Sequence, residues 1–210
     1  MVLGLGLWAD FGSLGEELRS FRWELFPLAL ALTALNYLLR FFRWHRYLAR
    51  LEIEIPPGRS FTIFVAGLTM TITPAKLGEL LKSGLLKRDF DVPVRRSAPV
   101  VFAERVTDAT GVVVLAVVGG AGTRNWPLLL AAVVAVAGAL SFLPGGLGVA
   151  EPSMAALIKA LGDATKAQAA AATLLIRLST LWFAVALGLI GLAVEERLYR
   201  RQPVRRSSMR

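Results

Sequence analysis

Five long stretches of this chain contain no charged residue, and each is mostly apolar. They cover residues 25–39, 60–75, 109–123, 125–150 and 178–194. A helix needs about 20 mostly apolar residues to cross a bilayer, so some of these stretches span only by including a flanking charge. Because 55% of the 210 residues are hydrophobic and the mean hydropathy is +0.58, one soluble core would not bury this apolar surface. The sequence therefore predicts an all-α integral membrane protein.

The residue types present exclude several classes of function. The chain has no cysteine and a single histidine, His45, which excludes disulfides, thiol nucleophiles, Cys/His metal cages and histidine triads. Its net charge of +9 is distributed in clusters beside hydrophobic segments, without a nucleic-acid recognition motif. We therefore predict no cofactor, no metal and no nucleic-acid partner. The basic clusters are interpreted as topology signals and contacts with acidic lipid headgroups.

The first half of the chain predicts one spanning helix, one helix pair and a second spanning helix. Residues 25–42 form the first span, which ends in a basic and aromatic cluster expected at the cytoplasmic interface. Residues 61–73 are too short to span before Pro74, and a helix over 75–86 follows, so this pair is predicted to enter the membrane and turn back. Residues 98–120 then span. The cluster that ends the first span comprises Arg40, Arg43, Trp44 and Arg46.

The second half repeats this order. Residues 128–143 form an apolar helix, residues 151–161 a shorter amphipathic one, and residues 167–194 are long enough to span. The helix breaks are predicted at two groups of residues, which are Pro74 with Gly78, and Pro144 with Gly145, Gly146 and Gly148. Glycines in such a group either form a phosphate cradle or simply permit the break.

The two halves also correspond in spacing. Leucine and glycine follow Pro74 and Pro144 at the same offsets, and 26 positions separate Glu79 from Arg105. The same 26 positions separate Glu151 from Arg177. We therefore predict a single transmembrane domain over residues 1–196 with one repeat over about 60–120 and another over about 127–195, followed by a basic tail over 197–210.

Charge placement predicts that the two repeats have opposite orientations. Segments 40–59, 82–96 and 197–210 hold 16 of the 24 Lys and Arg residues, whereas segments 1–24, 121–126 and 149–166 hold 5. Because positive loops remain in the cytoplasm, the first three segments and the C-terminus are predicted to be cytoplasmic. Inverted repeats with broken helices are typical of transporters with a binding site near the midplane.

Four separated motifs resemble the lysylphosphatidylglycerol synthase transmembrane-region family. They are the segments 74–82, 104–108, 143–151 and 174–182, and the upstream segment 39–44 fits the same pattern. The resemblance covers roughly residues 25–195. It implies lipid handling in the plasma membrane, as in the lipid-flipping half of the bifunctional aminoacyl-phosphatidylglycerol proteins, without a soluble aminoacyl-transfer domain.

The chain departs from that family pattern in two places. Family members usually carry a complete helix before the one at residue 25 and additional helices between the positions of Gly122 and Trp126. Here the first is a stub and the second connection is a few residues long, so the resemblance is to a compact or truncated member. The loss of an even number of helices would preserve the predicted topology.

Five charged residues are predicted to bind the substrate, namely Arg105, Arg177, Glu79, Glu151 and Asp108. An arginine at membrane depth costs about 2.5 kcal/mol or more, which favours a functional role for Arg177, whereas for Arg105 substrate binding and a structural role are equally open. The spacing also allows Arg105 and Asp108 to form a structural ion pair on one helix face. Glu79 and Glu151 either cap backbone N–H groups at the helix breaks or carry coupling protons.

The predicted function is that of a flippase for an anionic or aminoacylated phospholipid, or for a related lipid-linked substrate. A membrane-embedded lipid or polyprenyl-phosphate transferase is the competing class, although only Glu79, Glu104, Asp108 and Glu151 could act as its general base. A non-catalytic membrane assembly subunit is the third class. Membrane phospholipids are the predicted partners, homo-oligomerisation is left open, and the location is the plasma membrane in multi-pass form.

Overall fold

Helices form all the regular structure in residues 10–72, 78–123, 154–155, 158 and 164–200, which are the residues that the computed structural model describes. The all-α prediction is confirmed for this part of the chain. In order, the helices are α1 (Phe11–Ser20), α2 (Phe26–Arg50), α3 (Pro57–Gly67), α4 (Gly78–Phe90), α5 (Val94–Thr123), α6 (Lys166–Arg177) and α7 (Phe183–Arg200). Short 3-10 segments, Trp23–Leu25 and Leu68–Ile72, precede α2 and follow α3, and a π-helical turn, Leu178–Trp182, joins α6 to α7.

Two helical segments are long and apolar enough to cross a membrane. Trp23–Arg50 has 28 residues and Lys166–Arg200 has 35, and within them an 18-residue stretch has a mean hydropathy of 1.6 and 1.9, respectively. Along α2 the side chains of Leu28, Leu32 and Leu39 are 57%, 59% and 60% exposed. Such a continuous apolar face is costly in water but is the normal surface of a helix in lipid.

Helix α2 continues eight residues beyond its predicted end at residue 42. Trp44 and Leu48 lie one turn apart on the face that packs into the main core, so burial extends the helix to Arg50. The basic cluster that was predicted to end the span therefore lies inside the helix. Arg40 and Arg43 therefore face a neighbouring helix rather than an interfacial loop.

Helices α3 and α4 form the predicted antiparallel pair. A salt bridge of 2.6 Å between Arg59 and Asp89 joins the beginning of α3 to the end of α4. The first helix and its 3-10 extension end at Ile72, and the second begins at Gly78. The predicted break at Pro74 falls between these two segments and itself lies outside the described residues. The second predicted break, with Pro144, Gly145, Gly146, Gly148 and Glu151, also lies outside them.

Helix α7 packs closely against α3 and the 3-10 segment that follows it. The buried residues on this face of α7 are Ala184, Gly188, Gly191 and Glu195. A Cβ atom on Gly188 would lie 2.1 Å from the backbone nitrogen of Thr69, and one on Gly191 would lie 2.8 Å from that of Ala66. Glycine is therefore required at both positions for the two backbones to approach, as is common between helices in membranes.

Several helix ends meet at one end of the molecule, which we call the basic end. The side chain of Arg96, in the first turn of α5, donates to the carbonyl oxygen of Leu51 just after α2 at 3.1 Å. Arg59 pairs with Asp89 and, at 2.7 Å, with Glu195 near the end of α7. The ends of α2, α4 and α7 therefore lie together with the beginnings of α3 and α5. Within the segments 40–59 and 82–96, the residues after the end of α2 and around the end of α4 therefore lie at this end.

This arrangement predicts the labelling pattern of single cysteines in the naturally cysteine-free chain. Arg50→Cys and Arg95→Cys are expected to react from one side of the membrane, and Ser20→Cys and Lys166→Cys from the other. The positive-inside rule makes the first side the cytoplasm. An impermeant thiol reagent applied to intact cells and to inverted vesicles measures this. Reaction of position 50 and position 166 from the same side would contradict the arrangement.

Candidate functional site

A buried ion pair joins α4 to α5. The Nζ atom of Lys82 lies 2.7 Å from Oε2 of Glu104, and the two side chains are only 7% and 1% exposed. The ammonium group also lies over the rings of Trp44 and Phe64, at 4.2 Å and 5.4 Å from their centroids. Four helices therefore contribute to one enclosed charge pair, with the aromatic faces adding to the stabilisation of the cation.

Hydrogen-bonding capacity remains unused around this pair. Oε1 of Glu104 and Nε1 of Trp44 are buried, and neither has a hydrogen-bond partner among the described residues. The hydroxyl of Ser83, next to Lys82 in the chain, is also buried and also has no hydrogen-bond partner among the described residues. Unsatisfied buried groups are uncommon in folded proteins because each one costs free energy, so a group of them indicates a functional site.

An open pocket lies beside this pair, between α2 and α5. It has a volume of about 470 Å³ and is lined by Asn36, Leu39, Arg40, Arg43 and Asp108. The carboxylate of Asp108 accepts a 2.6 Å hydrogen bond from Arg43 and lies 3.7 Å from Nη2 of Arg40. The three charged side chains are between 23% and 37% exposed, so a ligand can reach them.

The pocket and the buried pair together form a cluster with an excess of positive charge. The described members are three cations, Lys82, Arg40 and Arg43, and two anions, Glu104 and Asp108, which leaves a formal charge of +1. Glu104 and Asp108 are four residues apart on α5 and so share one helix face. The cluster is therefore suited to bind an anion.

Arg177 occupies an irregular part of the helical structure. Its side chain is 7% exposed, and it is the last residue of α6 before the π-helical turn. π-Helical turns inside α-helices are frequent at functional sites. In this turn the carbonyl oxygen of Thr180 accepts a hydrogen bond of 2.8 Å from the hydroxyl of Tyr37, which joins the turn to α2.

The predicted site residues are described to different extents. Asp108 lies in the open pocket and Arg177 is buried, whereas Glu79 and Arg105 are placed only by their backbones in α4 and α5. Glu151 lies outside the described residues. The spacing along α5 suggested Arg105 as a partner for Asp108, but the structure adds two arginines from α2 that spacing within one helix does not reveal.

Sequence reasoning missed four members of the cluster as candidate site residues. Arg40 and Arg43 were interpreted as interfacial because the end of α2 was predicted too early. Lys82 was recognised only as part of a motif, and Glu104 only as part of a motif and as a possible general base of the competing transferase class. The signal that points to them is a charged residue beside a long apolar segment, since a charge at such a position needs a partner inside the protein.

A second charged cluster lies between α3, α4 and α7 at the basic end of the molecule. Arg59 bridges Asp89 and Glu195, whose side chains are fully buried, and Thr62 donates a hydrogen bond to Glu195. Burial, the largest single effect, raises the pKa of Asp89, but hydrogen bonds with Arg88 and Glu195 and the nearby arginine charges outweigh it. The pKa of this carboxyl group is therefore below its usual value. We interpret this cluster as the structural connection between α3, α4 and α7.

Two long apolar helices and ion pairs buried between helices are the features of an integral membrane protein of the helical-bundle class. A family model described as Lysylphosphatidylglycerol synthase TM region matches residues 1–133 and 123–188. The chain belongs to this family, which confirms the resemblance seen in its motifs. The comparisons found no match among curated proteins and none among solved structures. Membership supports a lipid-related function in a membrane.

Proposed function

We propose that this protein moves a phospholipid with an anionic or aminoacylated headgroup, or a related lipid-linked substrate, across the plasma membrane. The observation that carries the proposal is the open pocket in which Arg40 and Arg43 share a single carboxylate, Asp108. Guanidinium groups bind phosphate oxygens through paired hydrogen bonds, and the excess positive charge of the cluster attracts such a group.

The geometry of the ion pairs supports exchange with a ligand. Nη2 of Arg40 lies 3.7 Å from Asp108, beyond hydrogen-bond distance, so this side chain can bind a phosphate while Arg43 remains paired with Asp108. Leu39 lines the same pocket, and the exposed side chains of Leu35 and Phe42 lie close by on α2. A headgroup can therefore enter the pocket while its acyl chains remain in lipid.

The proposal includes the inverted repeat and the remaining predicted residues. In it, the pair α3 and α4 is a re-entrant hairpin, a second hairpin meets it at mid-depth, and Arg105 and Arg177 bind the headgroup there. Glu79 and Glu151 balance its charge. The antiparallel packing of α3 and α4, joined by Arg59 and Asp89, and the burial of Arg177 next to the π-helical turn support this arrangement.

Reconstitution tests the function directly. The purified protein is placed in vesicles that contain headgroup-labelled phosphatidylglycerol, its lysyl derivative or a polyprenyl phosphate, and both chemical change and sidedness of the label are measured. We expect the label to change sides without chemical change. A new covalent product would identify a transferase instead. If the label neither changes sides nor changes chemically, the result would favour a non-catalytic assembly subunit.

Loss of the pocket arginines is expected to reduce lipid movement. Because a hydrogen bond to a charged group contributes about 1.5–3 kcal/mol, we expect the double variant Arg40→Gln/Arg43→Gln to lower the transport rate at least about tenfold. Initial rates in the same vesicles provide the measurement. Arg46→Gln on the same helix is the matched control, since Arg46 is exposed and does not line the pocket.

The folding of these variants has to be separated from their transport. Removal of both arginines leaves Asp108 without an opposite charge, so the triple variant that adds Asp108→Asn restores charge balance. We expect the triple variant to reach wild-type folded yield and still to transport slowly. Wild-type transport by the well-folded triple variant would remove the pocket from the mechanism.

A further inference from the structure

We propose that the buried pair Lys82 and Glu104 is a proton-linked anion site, in which one phosphate group and one proton bind together. The proposal rests on the function proposed above and names its coupling ion. In this step Lys82 transfers its hydrogen bond from Oε2 of Glu104 to a phosphate oxygen, and the released carboxylate takes up a proton from water. The O–H bond of Glu104 forms as an O–H bond of hydronium breaks and leaves water, and no other covalent bond changes.

The pair lies next to the pocket along α2 and α5, although it does not itself line the pocket. Trp44 follows Arg43 in the chain, and its ring lies 4.2 Å from the ammonium group of Lys82. The charges of Arg40 and Arg43 also act on Lys82. Glu104 stands one turn from Asp108 on α5. A phosphate held by the two pocket arginines would therefore lie within about one helical turn of Trp44 on α2 and of Glu104 on α5.

Two unused hydrogen-bonding groups identify the chemistry of the ligand. Within the described part of the chain, Nε1 of Trp44 is a fully buried donor without an acceptor, and Oε1 of Glu104 is a buried acceptor without a donor. A phosphate would satisfy the indole donor together with Lys82. A phosphate near Lys82 would increase the free-energy cost of burying the ionised Glu104 carboxylate. Protonation of Glu104 would reduce this cost.

Charge balance favours binding of the anion and the proton together. The described cluster carries a formal charge of +1 before binding, and it keeps this charge when one singly negative phosphate and one proton enter. Without the proton, Glu104 would remain ionised and without its partner while only 1% exposed, which is strongly unfavourable.

Other titratable groups near the pair have partners of their own. On α2, Arg40 and Arg43 face Asp108, and the ring nitrogen Nδ1 of His45 is hydrogen-bonded to the hydroxyl of Ser60 on α3 at 3.1 Å. Asp108 is the other carboxylate on the same face of α5, and it is 37% exposed. Among the described groups, Glu104 is therefore the carboxylate that is left without an opposite charge when Lys82 binds phosphate. We expect it to be the group that takes up the proton.

The test measures proton uptake on binding. Phosphatidylglycerol or inorganic phosphate is added to the purified full-length protein in a weakly buffered detergent solution that contains a pH indicator. We expect about one proton to be taken up for each lipid bound, and the affinity to fall by up to about tenfold for each unit of increasing pH. Binding of lipid without proton uptake would overturn this proposal and leave the proposed function standing.

Variants identify the carboxylate. The side-chain amide of the Glu104→Gln variant is neutral at every pH. We therefore expect this variant to bind lipid without proton uptake and without the pH dependence. If Asp108→Asn abolishes the uptake and Glu104→Gln does not, the assignment is wrong. Should Glu104→Gln fold poorly, the double variant Lys82→Gln/Glu104→Gln replaces it, and continued proton uptake by that variant would likewise overturn the assignment.

The two ligands distinguish the source of the phosphate. Binding of phosphatidylglycerol with proton uptake, and weak binding of inorganic phosphate, is the expected result. If only inorganic phosphate binds with proton uptake, the site is proton-linked but its ligand is not a lipid, which contradicts the proposed function. If neither ligand binds, the proton-linked anion site is wrong, and movement of the other labelled lipids in the reconstituted vesicles decides the proposed function separately.

Discussion

Lys82→Met is expected to destabilise the protein by about 3–5 kcal/mol, because it leaves the buried carboxylate of Glu104 without its opposite charge. Methionine occupies a similar volume and keeps the contacts with the rings of Trp44 and Phe64, so the loss is mainly electrostatic. The free energy of unfolding, measured by denaturant titration in detergent, provides the test.

Two further variants separate charge from packing. The double variant Lys82→Met/Glu104→Gln contains no buried charge at this place and should recover most of the lost stability. Lys87→Met on the same helix is the matched control, since Lys87 is exposed, and it should change stability by no more than about 0.5 kcal/mol. A Lys82→Met variant as stable as the control would show that the ion pair does not contribute to folding.

Gly188→Ala is expected to destabilise the protein by about 1–3 kcal/mol, although alanine is normally the better helix former. The added Cβ atom would lie 2.1 Å from the backbone nitrogen of Thr69, and a backbone atom cannot move aside as a flexible side chain can. Helix α7 would have to shift away from α3. Thermal unfolding in detergent measures the effect.

Gly84→Ala is the matched control for this prediction. Gly84 lies inside α4, and a Cβ atom there has no neighbouring atom within 4 Å. We therefore expect this substitution to leave stability unchanged or to increase it by up to about 1 kcal/mol. If Gly188→Ala also increases stability, then α7 does not approach α3 as closely as described.

The close packing of α7 has a consequence for the candidate site. Helix α3 lies between α7 and the buried pair, and it supplies Phe64 to the environment of Lys82. Arg59 at the beginning of α3 binds both Asp89 on α4 and Glu195 on α7. The position of Lys82 relative to Glu104 therefore depends on contacts with α7 that lie outside the site itself.

Hydropathy was sufficient to predict the helical membrane class and the two long apolar helices. These features depend on residues close together in the chain, because the length of an apolar stretch is a local property. The end of α2 was predicted wrongly at residue 42, because the burial of Trp44 and Leu48 depends on other helices.

The partners of the charged residues depended on the packing of the helices. Lys82 is 22 residues from Glu104, and Arg43 is 65 residues from Asp108, so no local pattern joins them. Their meeting depends on how far each helix is shifted along its neighbours, and close contacts such as that of Gly188 with Thr69 limit this shift. Charged residues in apolar segments show that partners are needed, but the contacts between helices select which partners they find.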